Sequence, residues 1–191
     1  MPKRGQTPKP LFEPCAGGGV NLMQPKWADF DDWVNLRRNN IEHLAPWEPS
    51  WNPAHLSRSS YRSRLAKFKK MISADTGYPF HIFRADNGAL VGACNLTFIR
   101  RGSLQSASIG YWVGQEFGRQ GFARAAVRAA LKFAFGELGL HRVEAGVQPD
   151  NTASIKLLEN AGFIREGTAR GMIKIDGKWQ DHIVYARLSS D

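Results

Sequence analysis

The chain has 191 residues, 42% of them hydrophobic and 23% charged, with a net charge of +9. These values fit one globular domain with a sizeable core. No apolar run approaches membrane-spanning length, and the two distant cysteines (Cys15, Cys94) and five histidines without paired spacing leave neither a disulfide framework nor a metal site.

Residues 1–14 hold four prolines and read as a flexible basic tail, so the domain is expected over 15–191. A short strand follows from Val20 to Gln24, and a helix begins near Asp29 and runs to about Asn40. The stretch 43–53, H-L-A-P-W-E-P-S-W-N-P, reads as an ordered loop anchored by its tryptophans. A basic helix is predicted over Ser57 to Ala74, its cations being either a solvated face or a contact for RNA. The period then becomes extended: strands over Tyr78 to Arg84, Leu90 to Arg100 and Leu104 to Val113, joined by tight turns and therefore antiparallel.

Between Ile109 and Ala123 the sequence is I-G-Y-W-V-G-Q-E-F-G-R-Q-G-F-A, and a strongly amphipathic helix runs on to Leu138. A strand, a loop with Gly118 and Gly121, and a helix start make a cradle for an anion. Backbone N–H groups of 119 to 123 and the positive end of the helix dipole would face it. A strand over His141 to Val147, a short helix after Asn151 and a final hairpin turning at Asp176-Gly177 complete the chain. Asn151 with Ser154 three residues on is also the pattern of a helix cap.

The cradle, N-T-A-S at 151 to 154 and E-N-A-G-F at 159 to 163 together resemble the Gcn5-related N-acetyltransferases (GNAT). Their cradle pattern is Gln or Arg, two residues, Gly, one residue, Gly or Ala. Gly121 and Ala123 match it, while Gly118 stands where Gln or Arg is usual. The segments L-A-P-W-E-P, G-L-H-R-V and I-D-G-K-W-Q-D-H are similar to the Rim group of ribosomal-protein alanine N-acetyltransferases, the RimJ type most of all.

The resemblance implies an α+β (mixed α/β) GNAT fold: a central, mostly antiparallel twisted sheet of about seven strands, the fourth and fifth splayed, with four flanking helices. It implies acetyl-CoA as co-substrate, no metal, and an N-acetyltransferase acting by direct attack in a ternary complex; a basic start with no apolar segment after it makes a cytoplasmic location the expectation. Tyr111, Trp112 and Val113 would hold the pantetheine arm, and backbone amides near Trp112 and Val113 would polarise the thioester carbonyl. Gly118, Arg119, Gln120, Gly121, Phe122, Ala123 and Arg124 would hold the pyrophosphate, and Asn151 and Ser154 the arm and sulfur. Ser154 or Tyr185 would protonate the leaving thiolate. Glu48 would receive the amine, with Glu166, Asp181 or water as alternative bases.

The acceptor implied is the amino-terminal alanine of a ribosomal protein, met by a wall of Trp47, Trp51 and Trp179. A small-molecule amine (aminoglycoside or polyamine) is the alternative within the enzyme class, and a non-enzymatic ribosome- or RNA-binding protein the alternative outside it. Either a monomer or a homodimer is compatible with the sequence.

Overall fold

The computed structural model describes residues 5–49 and 52–191. Its strands are β1 (Leu11–Glu13), β2 (Val20–Met23), β3 (Tyr78–Arg84), β4 (Leu90–Arg100), β5 (Ser106–Val113), β6 (Arg142–Val147), β7 (Ile164–Ile175) and β8 (Lys178–Leu188). The α-helices are α1 (Phe30–Asn39), the single turn α2 (Ile41–Leu44), α3 (Arg58–Ser73), α4 (Phe122–Lys132) and α5 (Thr152–Asn160), and a π turn, Phe133–Glu137, extends α4. Among the described residues the strands form one sheet in the order β1-β2-β3-β4-β5-β6-β8-β7. Only β5 and β6 run parallel, because the whole of α4 lies between them as a crossover.

The sheet thus has eight strands where about seven were expected, and the extra one comes from the supposed tail. Leu11–Glu13 pairs with Val20–Leu22 at the sheet edge. Glu13 is 1% exposed and is held by Lys132 Nζ at 2.6 Å and Arg128 Nε at 3.2 Å. A buried carboxylate is costly alone, and two cations one helical turn apart on α4 offset that cost. Of the three cations at four-residue steps on this helix, two therefore clamp β1, leaving Arg124 exposed at the helix start.

Alternation along the strands separates two faces. Ile82 and Cys94 point into the main core, where α4 packs Ala126, Val127 and Ala130; burial pushes the Cys94 thiol up to about 12, so it is inert packing. Phe83 points the other way, into a second cluster with Trp33 and Leu36 of α1 and Tyr61 of α3. The basic helix lies on this second face, and much of its charge is occupied: Arg58 pairs with Asp31 at 2.8 Å and lies 4.5 Å from the Phe30 ring centroid, Arg62 sits 5.3 Å from that of Trp27, and Arg64 5.1 Å from that of Trp33.

Asn40 locks the elbow between α1 and α2 to the loop after β5. Its Nδ2 donates to the Leu36 carbonyl at 2.9 Å and Glu116 Oε2 at 3.1 Å, and its Oδ1 accepts from the Gln115 N–H at 2.7 Å.

β4 and β5 approach so closely at Gly92 that a Cβ there would lie 2.1 Å from the Trp112 carbonyl oxygen. Gly92→Ala must push β5 aside, and we expect it to cost about 1–3 kcal/mol, the usual range for overpacking, measured by denaturant unfolding. Wild-type stability in that variant would show that β5 is free to move at Trp112.

Candidate active site

β5 and β6 are paired only from Ser106↔Arg142 to Ser108↔Glu144, and beyond that they diverge. The crevice encloses about 290 Å³ and is lined by residues of both sheet faces: Tyr111, Ser154 and Leu158 from one, Glu48, Asn95 and Trp112 from the other. Gly110 adds no side chain to its wall. The Gly114 N–H donates to the Val91 carbonyl, so by alternation the Trp112 N–H also faces β4, whereas those of Tyr111 and Val113 face the crevice. Two donors one step apart on a splayed strand edge can bind an extended ligand as an added strand, and can polarise a carbonyl oxygen. The sequence pointed to the amides near Trp112 and Val113; the geometry replaces Trp112 with Tyr111.

The cradle follows directly. Gly121 takes the left-handed conformation (φ 86°) at the N-cap of α4, and Arg119 is also left-handed (φ 60°). No side chain caps the helix, and among the described residues no acceptor meets the N–H groups of 119 and 121 to 124, while that of Gln120 closes the turn at 118–119. Arg119 and Arg124 are exposed beside them, with Gln120, Phe122 and Ala123 between. Phe122 is instead fully buried and contributes only its backbone. Unpaired donors at a helix start with two arginines fit a pyrophosphate. Gly121 also abuts Cys15, whose Cβ would be 3.3 Å from an added Cβ, so any side chain there strains the loop with or without ligand.

On the main-core side of the crevice, Tyr111 Oη and Ser154 Oγ are hydrogen-bonded at 2.8 Å. Burial raises the Tyr111 pKa, against the opposing effect of the Ser154 hydrogen bond, so the phenol stays a proton donor. Asn151 accepts from the Ser154 N–H at 3.0 Å, capping α5 while its side chain lines the crevice. Tyr185 is not among the lining residues. It is 1% exposed, its hydroxyl donates to Glu159 at 3.0 Å, and burial with that bond raises its pKa.

The opposite face carries a second cavity of about 400 Å³ that shares Glu48, Asn95 and Trp112 with the crevice. Arg37 holds Glu48 with both nitrogens, Nη1 to Oε1 at 2.7 Å and Nη2 to Oε2 at 2.6 Å, and lies 5.0 Å from the Trp112 ring centroid. Gln148 Nε2 donates to the Pro46 carbonyl at 3.0 Å. The 45–49 segment is thereby strapped across the crevice, tied to α1 at one end and to the residue after β6 at the other. Arg64 and His81 complete the wall, His81 being buried with its Nδ1 3.0 Å from Asp29 Oδ2. Burial acts to raise the Asp29 pKa, but the His81 hydrogen bond and the Lys26 amide outweigh it and hold the carboxylate ionised.

Other expected site residues lie elsewhere. Glu166 is paired with Arg142, Asp181 accepts from the Gly171 N–H at 2.7 Å, and neither lines a cavity of the site. Trp47 lines the crevice, Trp179 is 66% exposed away from it, and Trp51 lies outside the described residues. Arg37, Arg64, His81, Asn95 and His182 line the site without having been singled out.

Arg119 offers a clean test of the cradle, because Arg119→Gly removes a cation while relieving a left-handed backbone. We expect acetyl-CoA affinity to fall several-fold by calorimetry with the melting temperature unchanged or higher. Unchanged affinity would remove this arginine from the anion site.

Comparison with known proteins agrees with this geometry. Residues 20–164 match the model of the acetyltransferase (GNAT) domain. The probable N-acetyltransferase YjcK of Bacillus subtilis is 44% identical over 163 residues, covering 85% of this chain and 90% of the relative. The ribosomal protein uS5-alanine N-acetyltransferase of Escherichia coli is 30% identical over 165 residues, 85% of each chain. The structure of Mycobacterium smegmatis RimJ in complex with CoA-disulfide superposes with a TM-score of 0.92 at 30% identity, covering 97% of this chain and 90% of that one. A splayed β5/β6 edge, an uncapped helix start beside it and a family match over most of the domain have one common meaning: the chain belongs to the GNAT family and is an acetyl-CoA-dependent N-acetyltransferase.

Proposed function

We propose that the chain acetylates the α-amino group of a polypeptide, the amino-terminal alanine of a ribosomal protein being the foremost acceptor. The observation that carries this reading is the cavity joined to the crevice through Glu48, Asn95 and Trp112. Its walls hold Arg37, Arg64, His55 and His81 against Glu48, the one carboxylate among the described residues that line it, already paired with Arg37. A polyamine or aminoglycoside would bring several cations to that wall, whereas a peptide brings one ammonium and a neutral backbone. The uS5-directed relative supports the ribosomal acceptor. An RNA-binding scaffold would have no use for the uncapped donors of the cradle.

The bound thioester supplies an activated acetyl carbon. The Tyr111 and Val113 N–H groups donate to its carbonyl oxygen, stabilising the charge that develops there as the amine attacks. Glu48, fixed by Arg37, faces the incoming ammonium and orients it. An amino terminus has a reference pKa of about 7.7–8.0, so a fraction is neutral before any base acts. The amine's surplus proton passes to water. The Tyr111–Ser154 pair donates a proton to the departing sulfur, and the pair regains a proton from solvent, which has received the one released by the amine.

Turnover against a panel of Ala-initiated peptides, spermidine and an aminoglycoside tests the acceptor: we expect the peptides to be acetylated at the α-amine, shown by mass spectrometry, and the polycations to be poor. Preference for a polycation would overturn the reading.

The donor pair generates a pH prediction. The Tyr111 pKa lies above its ordinary value of 10.0, so the acid form persists as pH rises, and kcat should climb with amine deprotonation and hold level up to about 10. Tyr111→Phe and Ser154→Ala should each lower kcat by about 10–100-fold with little change in acetyl-CoA affinity. A wild-type profile falling below pH 10, or full turnover in both variants, would assign the proton to another source.

A further inference from the structure

The acceptor cavity does not end at its own wall. His55, Arg64 and Phe68 are shared with a groove of about 880 Å³ between α3 and the end of β4. Lys67 and Arg100 stand along it, Met71 and Ile99 form apolar floor, and among the described residues no Asp or Glu lines it. Arg100 is partly neutralised by Glu144 at 3.0 Å, so Arg64 and Lys67 dominate the charge. β4 loses register between Thr97 and Arg100, and inside that irregularity Phe98 is 76% exposed in the left-handed conformation (φ 50°). A bulky residue held there is backbone strain with no packing in return, which is characteristic of binding surfaces.

Resting on the peptide reading above, we infer that this groove binds the segment of the acceptor polypeptide that follows the acetylated residue, and that it selects acidic sequences there. Continuity fixes the occupant: a chain whose ammonium meets Glu48 leaves the cavity past His55, Arg64 and Phe68 and enters the groove. Complementarity fixes its chemistry, since a carboxylate-bearing segment meets Arg64 and Lys67, and apolar side chains meet Met71 and Phe98. RNA fits less well, because Arg58 and Arg100 are ion-paired with Asp31 and Glu144 and the apolar Met71, Phe98 and Ile99 separate the remaining cations of the groove, leaving no continuous cationic track there.

The test uses two peptides with the same first three residues, Ala first, one continuing in glutamates and the other in lysines, and an Ala-initiated dipeptide amide too short to reach the groove. Kinetics are measured on the wild type, Lys67→Glu and Phe98→Ala, with a melting curve for each. The acidic-tailed peptide should show a KM about tenfold below that of the basic-tailed one at similar kcat. Lys67→Glu should abolish or reverse the preference, Phe98→Ala should raise KM for the long peptides, and both should leave the dipeptide amide unaffected. Equal KM for the two tails, or a preference that survives Lys67→Glu, overturns the groove while acetylation of the dipeptide amide upholds the peptide reading. Failure of all three acceptors overturns that reading itself. Binding of a short single-stranded RNA that competes with the acidic peptide, lost in Lys67→Glu, would assign the groove to RNA instead.

Discussion

Everything in this site depends on β5 and β6 parting after Ser108 and Glu144. In a continuous sheet the N–H groups of Tyr111 and Val113 would be spent on β6. Here they open into a crevice, and a ligand with its own acceptors can replace the missing strand. α4 links the same two strands, so its uncapped start is held at the mouth of the crevice by the covalent chain, while its apolar face fixes it on the sheet. One topological departure therefore positions both the uncapped helix start and the unpaired donors of the β5 edge.

The divergence also joins two faces that a closed sheet would keep apart. Tyr111 and Ser154 reach the crevice from the side of α4 and α5, and Glu48, Asn95 and Trp112 from the side of α1 and α3. Acetyl donor and acceptor amine can approach the same point from opposite faces. Arg37 sets the second approach, because its bidentate hold turns Glu48 from a mobile carboxylate into a fixed one, and Asn40 ties the helix carrying Arg37 to the loop before the cradle. The segment bearing Glu48 and the loop after β5 thus share a mechanical link.

Much of this was legible in the sequence where local chemistry carries the information. The strand, glycine loop and amphipathic helix identify the cradle, and proline with tryptophan marks the loop bearing Glu48. What failed is what depends on distant contacts. Leu11–Glu13 sits among prolines and looks unstructured; its fate is decided by Arg128 and Lys132, more than a hundred residues away. Asn95 and His81 lie in strands that read as apolar, and only the direction of the strand's alternation shows that they face a cavity. Tyr185 and Trp179 are large aromatics on one strand, and nothing in residue type distinguishes the buried one bound to Glu159 from the exposed one. Tyr111 was read for its backbone alone, since its hydroxyl meets Ser154 only through the packing of α5 on the sheet.

The central claim is that the free edge of β5 and the start of α4 bind one ligand together. Hydrogen–deuterium exchange of the protein with and without acetyl-CoA reports on both segments at once. The account predicts slowed exchange at Tyr111 and Val113 and across the N–H groups of 119 to 124, with Trp112 unchanged because it is already bonded to β4. Protection confined to 119–124, with the β5 edge exchanging as in the free protein, would contradict it.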